Sequence, residues 1–229
     1  MIMADQDHDG SHIKGLVINF IHHYWPTLFR KNGFLVEFVT PLVKIFKKSD
    51  PNNVIPFFTQ NDFKKFAEEN DALMKSFRIK YYKGLGTSDN AEAQEYFEKL
   101  QRHKIEFFYE DSTDDGQIQL AFCKKMADAR KDWLTLYDPN VYVDHTINRL
   151  RYKDFVDKEL MAFSIANNER AIPNIMDGLK TGQRKILFGC FKRNLTVDTK
   201  VAQLVGYIGE HTAYHHGEMS LASTIVGLA

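Results

Sequence analysis

Met3-Ala4-Asp5-Gln6-Asp7-His8-Asp9-Gly10 is the stretch whose reading decides the fold. Its three carboxylates alternate with other residues directly behind the apolar run Met1-Ile2-Met3-Ala4. If that run ends a β-strand, the two-residue period puts Asp5 and Asp7 on one side of the chain. Asp9 then lies at the strand's exit, and Gly10 permits the sharp turn that follows. Carboxylates this close raise one another's pKa, and a divalent cation removes that cost. Hard oxygen ligands with positions left open for phosphate oxygens suit Mg²⁺. Two plainer readings compete, a solvated acidic turn and a calcium loop. Counting from Asp5, the twelfth position is Leu16, where a calcium loop needs a bidentate Glu and is entered from a helix.

Working outward, Ser11 is placed to cap a helix. Ile13, Leu16, Val17, Phe20, Ile21 and Tyr24 repeat at helical spacing until Pro26. Strand, acidic turn and helix make an α/β unit with the acids at the strand's C-terminal edge, where open α/β sheets bind ligands. Strands are expected over 34–39, 42–47, 54–59, 77–83, 105–109 and 118–122, with helices over 62–70 and 127–136 and after Ser88 or Asp89. Asp138-Pro139-Asn140 marks the domain boundary. Beyond it, helices are expected over 154–167, 182–192 and 200–208, with a last one after Gly217, the pattern of a helix-turn-helix or winged-helix module. On the 182–192 wheel, Ile186, Leu187, Cys190 and Phe191 form the apolar face, with Arg184 at its edge.

Thirty basic and thirty acidic residues cancel, and 44% hydrophobic content fits a globular chain with a real core. The distribution says more than the total. Residues 178–200 carry Lys180, Arg184, Lys185, Lys192, Arg193 and Lys200 against Asp198 alone, a segment able to attract a polyanion. Residues 105–116 carry five acids and no base. Cys123 and Cys190 have no metal-ligand spacing and no disulfide framework. No apolar run approaches the ~18 residues of a membrane span, so no membrane partner is expected. The chain reads as an excerpt of something longer.

Four stretches carry a resemblance. Residues 2–16, centred on the acids, resemble the acidic signature of the Toprim domain of type IIA DNA topoisomerases, and Tyr81-Tyr82-Lys83-Gly84-Leu85-Gly86-Thr87-Ser88 resembles a second motif of that family. Residues 172–185, which contain Gln183-Arg184-Lys185, and Ala213-Tyr214-His215-His216-Gly217-Glu218 resemble two stretches of its winged-helix domain. They stand in the family's order, and the likeness is closest to the eukaryotic enzymes, in which both portions run on in one polypeptide. Ala4, Thr181 and Met219 depart from the usual Thr, Pro and Gln.

The resemblance implies an α/β Toprim (Rossmann-like) portion followed by a mainly α winged-helix portion: a C-terminal part of the Toprim domain with an insert over 1–136, a linker over 137–153, and the start of the winged-helix domain over 154–229. It implies Mg²⁺ held directly by Asp5 and Asp7, with Asp9 acting through water, and catalytic parts for Arg184, His215 and His216. Lys83, Lys180, Arg184, Lys185, His215 and His216 would contact double-stranded DNA. The nucleophilic tyrosine, a partner glutamate and the ATP-hydrolysing domain would lie outside these residues. The Arg151-Tyr152 pair comes too early to be the nucleophile, and the family tyrosine aligned with Tyr214 is not it. A nuclear homodimer is implied. Another Toprim nuclease or primase, or a non-catalytic metal- or DNA-binding module, is the alternative.

Overall fold

The computed structural model describes residues 1–82, 84–144, 147–214 and 216–229. The chain divides into two compact units, Met1–Ser164 and Ile165–Ala229.

In the first unit, β1 (Ile2–Met3) leads into α1 (His8–Tyr24) and the short α2 (Pro26–Phe29), which Pro26 opens because a first-turn N–H needs no helical acceptor. Then come β2 (Val36–Phe38), β3 (Val43–Lys47), β4 (Asp50–Phe57), α3 (Gln60–Glu69), α4 (Asp71–Met74) and β5 (Phe77–Tyr81). They are followed by α5 (Asn90–Glu98), β6 (Lys104–Phe108), α6 (Ser112–Phe122), α7 (Ala127–Thr135), β7 (Arg149–Arg151) and α8 (Tyr152–Asp154). A π-helical stretch, Phe155–Leu160, joins α8 to α9 (Met161–Ala171).

Two sheets result. One has the order β1-β2-β6-β7, with β1 parallel to β2, β2 antiparallel to β6, and β6 parallel to β7. The other is the antiparallel sheet β4-β3-β5. Pro56 is tolerated in β4 because that strand lies at the edge. The main core gathers Ile18, Phe29, Phe107, Ile118, Leu150, Tyr152 and Phe155.

Three expectations are corrected here. Residues 118–122 are not a strand but the end of α6. Asp111 accepts from Thr113 N at 2.8 Å, and Asp114 answers by accepting from Asp111 N at 3.2 Å. The acids expected to form a turn therefore occupy the helix N-terminus, where negative charge opposes the macrodipole. Second, 137–153 is not a linker. Val143, Leu150 and Tyr152 are buried in the first core, and β7 hydrogen-bonds to β6. The chain divides after Ser164 instead, because Phe155, Val156 and Leu160 are also committed to that core.

The third correction concerns α1. The expected apolar stripe is largely exposed, with Ile13, Leu16, Phe20 and Tyr24 all near half accessible. The buried face carries Ser11, Lys14, Gly15 and Ile18 instead. Gly15 is required there, since an added Cβ would come within 3.1 Å of both Leu160 Cδ1 and Phe122 Cζ.

The second unit contains α10 (Thr181–Lys192), α11 (Val201–Thr212) and α12 (Glu218–Leu228), and no strand among its described residues. Ile186, Leu204, Val205, Ile208, Leu221 and Ile225 form its core. A Cβ on Gly189 would meet Ile208 Cγ1 at 2.9 Å, so α10 and α11 touch along Gly189. That contact turns the buried face of α10 toward Ile186 and Gly189 and leaves Phe191, expected in the core, 78% exposed.

Candidate active site and nucleic-acid interface

Two strand residues are enough to launch the acidic stretch, because β1 is paired in parallel with β2 at Ile2↔Glu37 and Met3↔Phe38. Gln6 then reaches back, donating to Phe38 O at 3.1 Å. Asp7 takes the N-cap position that Ser11 was expected to fill, and its Oδ1 accepts from Gly10 N at 2.7 Å. The helix begins at His8, so Asp9 and Gly10 lie in its first turn. Gly10 is needed for clearance and not for a turn. A Cβ there would sit 1.9 Å from Asp5 O, a backbone clash.

Asp5 is held from a different direction. Leu85 N, in the glycine-rich turn after β5, donates to Asp5 Oδ1 at 2.8 Å. A Cβ on Gly84 would fall 2.5–2.7 Å from the Asp5 carboxylate atoms, so only glycine lets this backbone reach the acid. The structure thus brings the second glycine-rich motif onto the first acidic one, although Lys83 itself lies outside the described residues. Asp5 and Asp7 are exposed and Asp9 half-buried. Among the described residues no three His, Cys, Asp or Glu side chains converge as a metal set. Two exposed carboxylates, one oriented by a backbone N–H, are hard oxygen donors that fit Mg²⁺, though this chain does not complete a three-ligand site among its described residues.

Behind the acids lies a charged cluster that sequence reasoning missed. Lys14 Nζ donates to Glu37 Oε2 at 2.6 Å and to Glu159 Oε2 at 2.7 Å, and Ser11 Oγ donates to Glu159 Oε2 at 3.0 Å. Lys14 and Glu37 are 3% and 0% exposed. Burial alone would lower the Lys14 pKa, but the two carboxylates more than offset it and raise it above the ordinary lysine value. The cluster ties the first turns of α1 to β2 and to the π-helical stretch.

In the second unit, Lys180, Lys185 and His216 line one cavity of about 630 Å³, together with Arg170, Tyr214 and the N-terminal turn of α10. Among the described residues no Asp or Glu lines it. Exposed helix N–H groups beside cations make such a place receptive to phosphate. Lys185 Nζ donates to Ala213 O at 3.3 Å, fixing it beside the Tyr214-His216 edge-on ring pair. Arg184 does not line this cavity. Its guanidinium makes a bidentate pair with Asp177, Nε–Oδ2 and Nη2–Oδ1 both 2.8 Å, and this holds the Asp177 carboxyl below its usual pKa. Asp177, seven residues before Arg184, was missed; its signal was the Asp-Gly of the preceding loop, where Gly178 has φ +68°. His215 lies outside the described residues.

The candidate tyrosines sort clearly. Tyr152 is fully buried, stacked on Phe29 at 4.1 Å and donating to Phe29 O at 3.1 Å, so it is a core residue. Arg151 pairs with Glu110, Asp111 and Asp114.

The family described as "C-terminal associated domain of TOPRIM" matches residues 38–168. The chain belongs to it. A second family, that of DNA gyrase/topoisomerase IV, matches residues 170–229, so this TOPRIM-associated domain is followed by topoisomerase sequence. Along its whole length this TOPRIM-family chain is 56% identical to "Probable DNA topoisomerase 2" of Dictyostelium discoideum and 52% identical to DNA topoisomerase 2 of Saccharomyces cerevisiae. It covers 15% and 16% of those proteins, about a sixth of their length. The solved DNA-binding, cleavage and re-ligation domain of Plasmodium falciparum topoisomerase II superposes with a TM-score of 0.82 at 53% identity, over 99% of this chain and 30% of that one. The resemblance to eukaryotic DNA topoisomerase II is therefore borne out, as is an α/β Toprim portion followed by a mainly helical one.

Proposed function

We propose that this chain is part of the DNA breakage and rejoining core of an ATP-dependent type II DNA topoisomerase, which relaxes and decatenates DNA by passing one duplex through a transient double-strand break. One observation carries the reading: exposed Asp5 and Asp7 leave β1 beside the Gly84-Leu85 turn, in a chain similar to eukaryotic DNA topoisomerase 2 over its entire length.

In this reading Asp5 and Asp7 hold Mg²⁺ and Asp9 acts through water. When bound, the ion stabilises negative charge building on the scissile phosphate and the leaving 3′ oxygen. Leu85 N keeps the Asp5 carboxylate aimed, and the Lys14 cluster keeps the start of α1 seated against β2. Lys180, Lys185 and His216 grip backbone phosphates in their shared cavity. Arg184 reaches DNA by exchanging Asp177 for a phosphate, since both present two oxygens to a guanidinium. The nucleophilic tyrosine and the ATP site belong to parts of the parent protein outside these 229 residues. The parent acts on double-stranded DNA as a homodimer in the nucleus, although one relative is named a mitochondrial enzyme.

The test is relaxation of supercoiled plasmid by the full-length parent, with and without ATP and Mg²⁺, beside Asp7→Asn. Asn caps helices as well as Asp does, so the variant keeps α1 in place and loses only the charge. Relaxation that needs ATP and Mg²⁺ and disappears in Asp7→Asn is the expected result. Nicking without ATP would point to a nuclease, and undiminished relaxation by Asp7→Asn would remove Asp7 from the chemistry.

A further inference from the structure

A second basic cavity, of about 490 Å³, lies in the first unit between β3, β4 and α5, and none of the residues assigned above lines it. Its deep wall is made of groups that water barely reaches: Lys44 is 5% exposed, Tyr96 3% and His103 7%. The Lys44 ammonium stands 4.6 Å from the Tyr96 ring centroid, and His103 Nδ1 donates to Val39 O at 2.7 Å. Tyr96 is the telling residue, because its buried hydroxyl has no hydrogen-bond partner among the described residues. A buried hydroxyl in that state is costly, and such groups nearly always serve a partner.

Lys99 and Arg102 add two exposed cations to the same cavity. One acid faces them. Glu95 pairs with Lys99 at 2.9 Å and lies 3.9 Å from Lys44, while Glu92 approaches Lys44 from behind at 3.5 Å. Around the opening, among the described residues, three cations thus face a single carboxylate.

We propose that this cavity binds a small phosphorylated anion, with the Tyr96 hydroxyl and the Lys44 ammonium donating at its floor and Arg102 closing over it. A concave site with its donors this deep suits a free phosphate-bearing molecule, because the backbone phosphates of a stiff duplex meet convex or grooved surfaces. Phe58 in the wall would seat an organic portion.

The test is calorimetric titration of the full chain at pH 7 and low salt with two probes, inorganic pyrophosphate and ADP. Saturable binding of both is expected. Equal affinities would mean that phosphate alone is recognised, and tighter ADP that Phe58 seats a base or sugar. Tyr96→Phe removes one oxygen without changing the packing, and should weaken binding about tenfold with no loss of thermal stability. Arg102→Gln, at an exposed position, should weaken it comparably, and Lys131→Gln on α7 should leave it unchanged. No saturable heat up to about 5 mM of either probe, a concentration at which even millimolar affinity registers, would overturn the proposal. So would full affinity in Tyr96→Phe, or displacement of the probe by duplex DNA.

Discussion

Replacing Lys14 by Met keeps the length and apolar stem of the side chain and removes one charge. In the folded protein that charge lies 2.6 Å from Glu37 and 2.7 Å from Glu159, with side-chain exposures of 0% and 12% for the two acids. Taking away the cation leaves two carboxylates facing each other in a dry site, and removing one partner of a buried pair costs about 3–5 kcal/mol. For a unit of this size that is a fall of roughly 6–20 °C in Tm, at about 2–4 °C per kcal/mol. Both tryptophans, Trp25 and Trp133, lie in the first unit, so their fluorescence during urea or thermal unfolding reports on that unit. The pH dependence sharpens the test. In the wild type the folded Lys14 pKa is raised from 10.5, so its contribution is fully present below about that pH and is lost only as pH rises further. In Lys14→Met, one carboxylate must take up a proton to relieve the repulsion, so the deficit should shrink between pH 7 and pH 5. A loss below about 1 kcal/mol at pH 7, or a deficit equal at both pH values, would refute the reasoning.

Three further sets of outcomes are expected. Gly84→Ala should leave the Tm of the first unit within a few degrees but reduce Mg²⁺-dependent relaxation by the full-length parent at least tenfold, since the new Cβ would push the Asp5 carboxylate out of place. Gly10→Ala, which clashes with backbone, should unfold or severely destabilise the unit in the same fluorescence assay. His103 has its pKa lowered from 6.5, by burial first, so the unfolded chain binds more protons than the folded one just below that pH. Stability should therefore fall as pH drops through 6.5, and the slope of urea midpoints between pH 7 and 5 should flatten in His103→Gln. Lys180→Gln should reduce the salt dependence of duplex binding by about one counterion in a fluorescence-anisotropy titration, while Arg184→Lys should weaken binding with a nearly unchanged slope.

Much of the local structure is legible directly in the sequence. The strand-to-helix acidic stretch, the hairpin strands, the Asp89 cap and the helices of the second unit follow from periodicity and end signals that act within a few residues. The difference over 118–122 is one of weighting. The Asp111-Ser112-Thr113-Asp114 capping pattern is present in the chain, and it outweighs the strand-like apolar run behind it. The position of the α1 cap is a difference of the same kind. Asp7 and Ser11 are both good caps, and the choice falls to Asp7 because Ser11 is drawn to Glu159.

The sequence by itself determined which residue types sit at each end of each element, the acidic exit of β1, the glycine-rich turn after β5 and the basic run of α10. Only the tertiary structure decided what they meet. Lys14 finds Glu37 and Glu159 across 23 and 145 residues, Asp5 finds Leu85 across 80, and Gly189 is needed because Ile208 lies over it. Which face of α1 goes inward was decided in the same way. Its apolar stripe predicts burial, but the sheet offers Glu37 to the other face, and a buried carboxylate must have its cation. Periodicity reports on what a segment can do with its own neighbours, whereas these pairings depend on where distant segments come to rest.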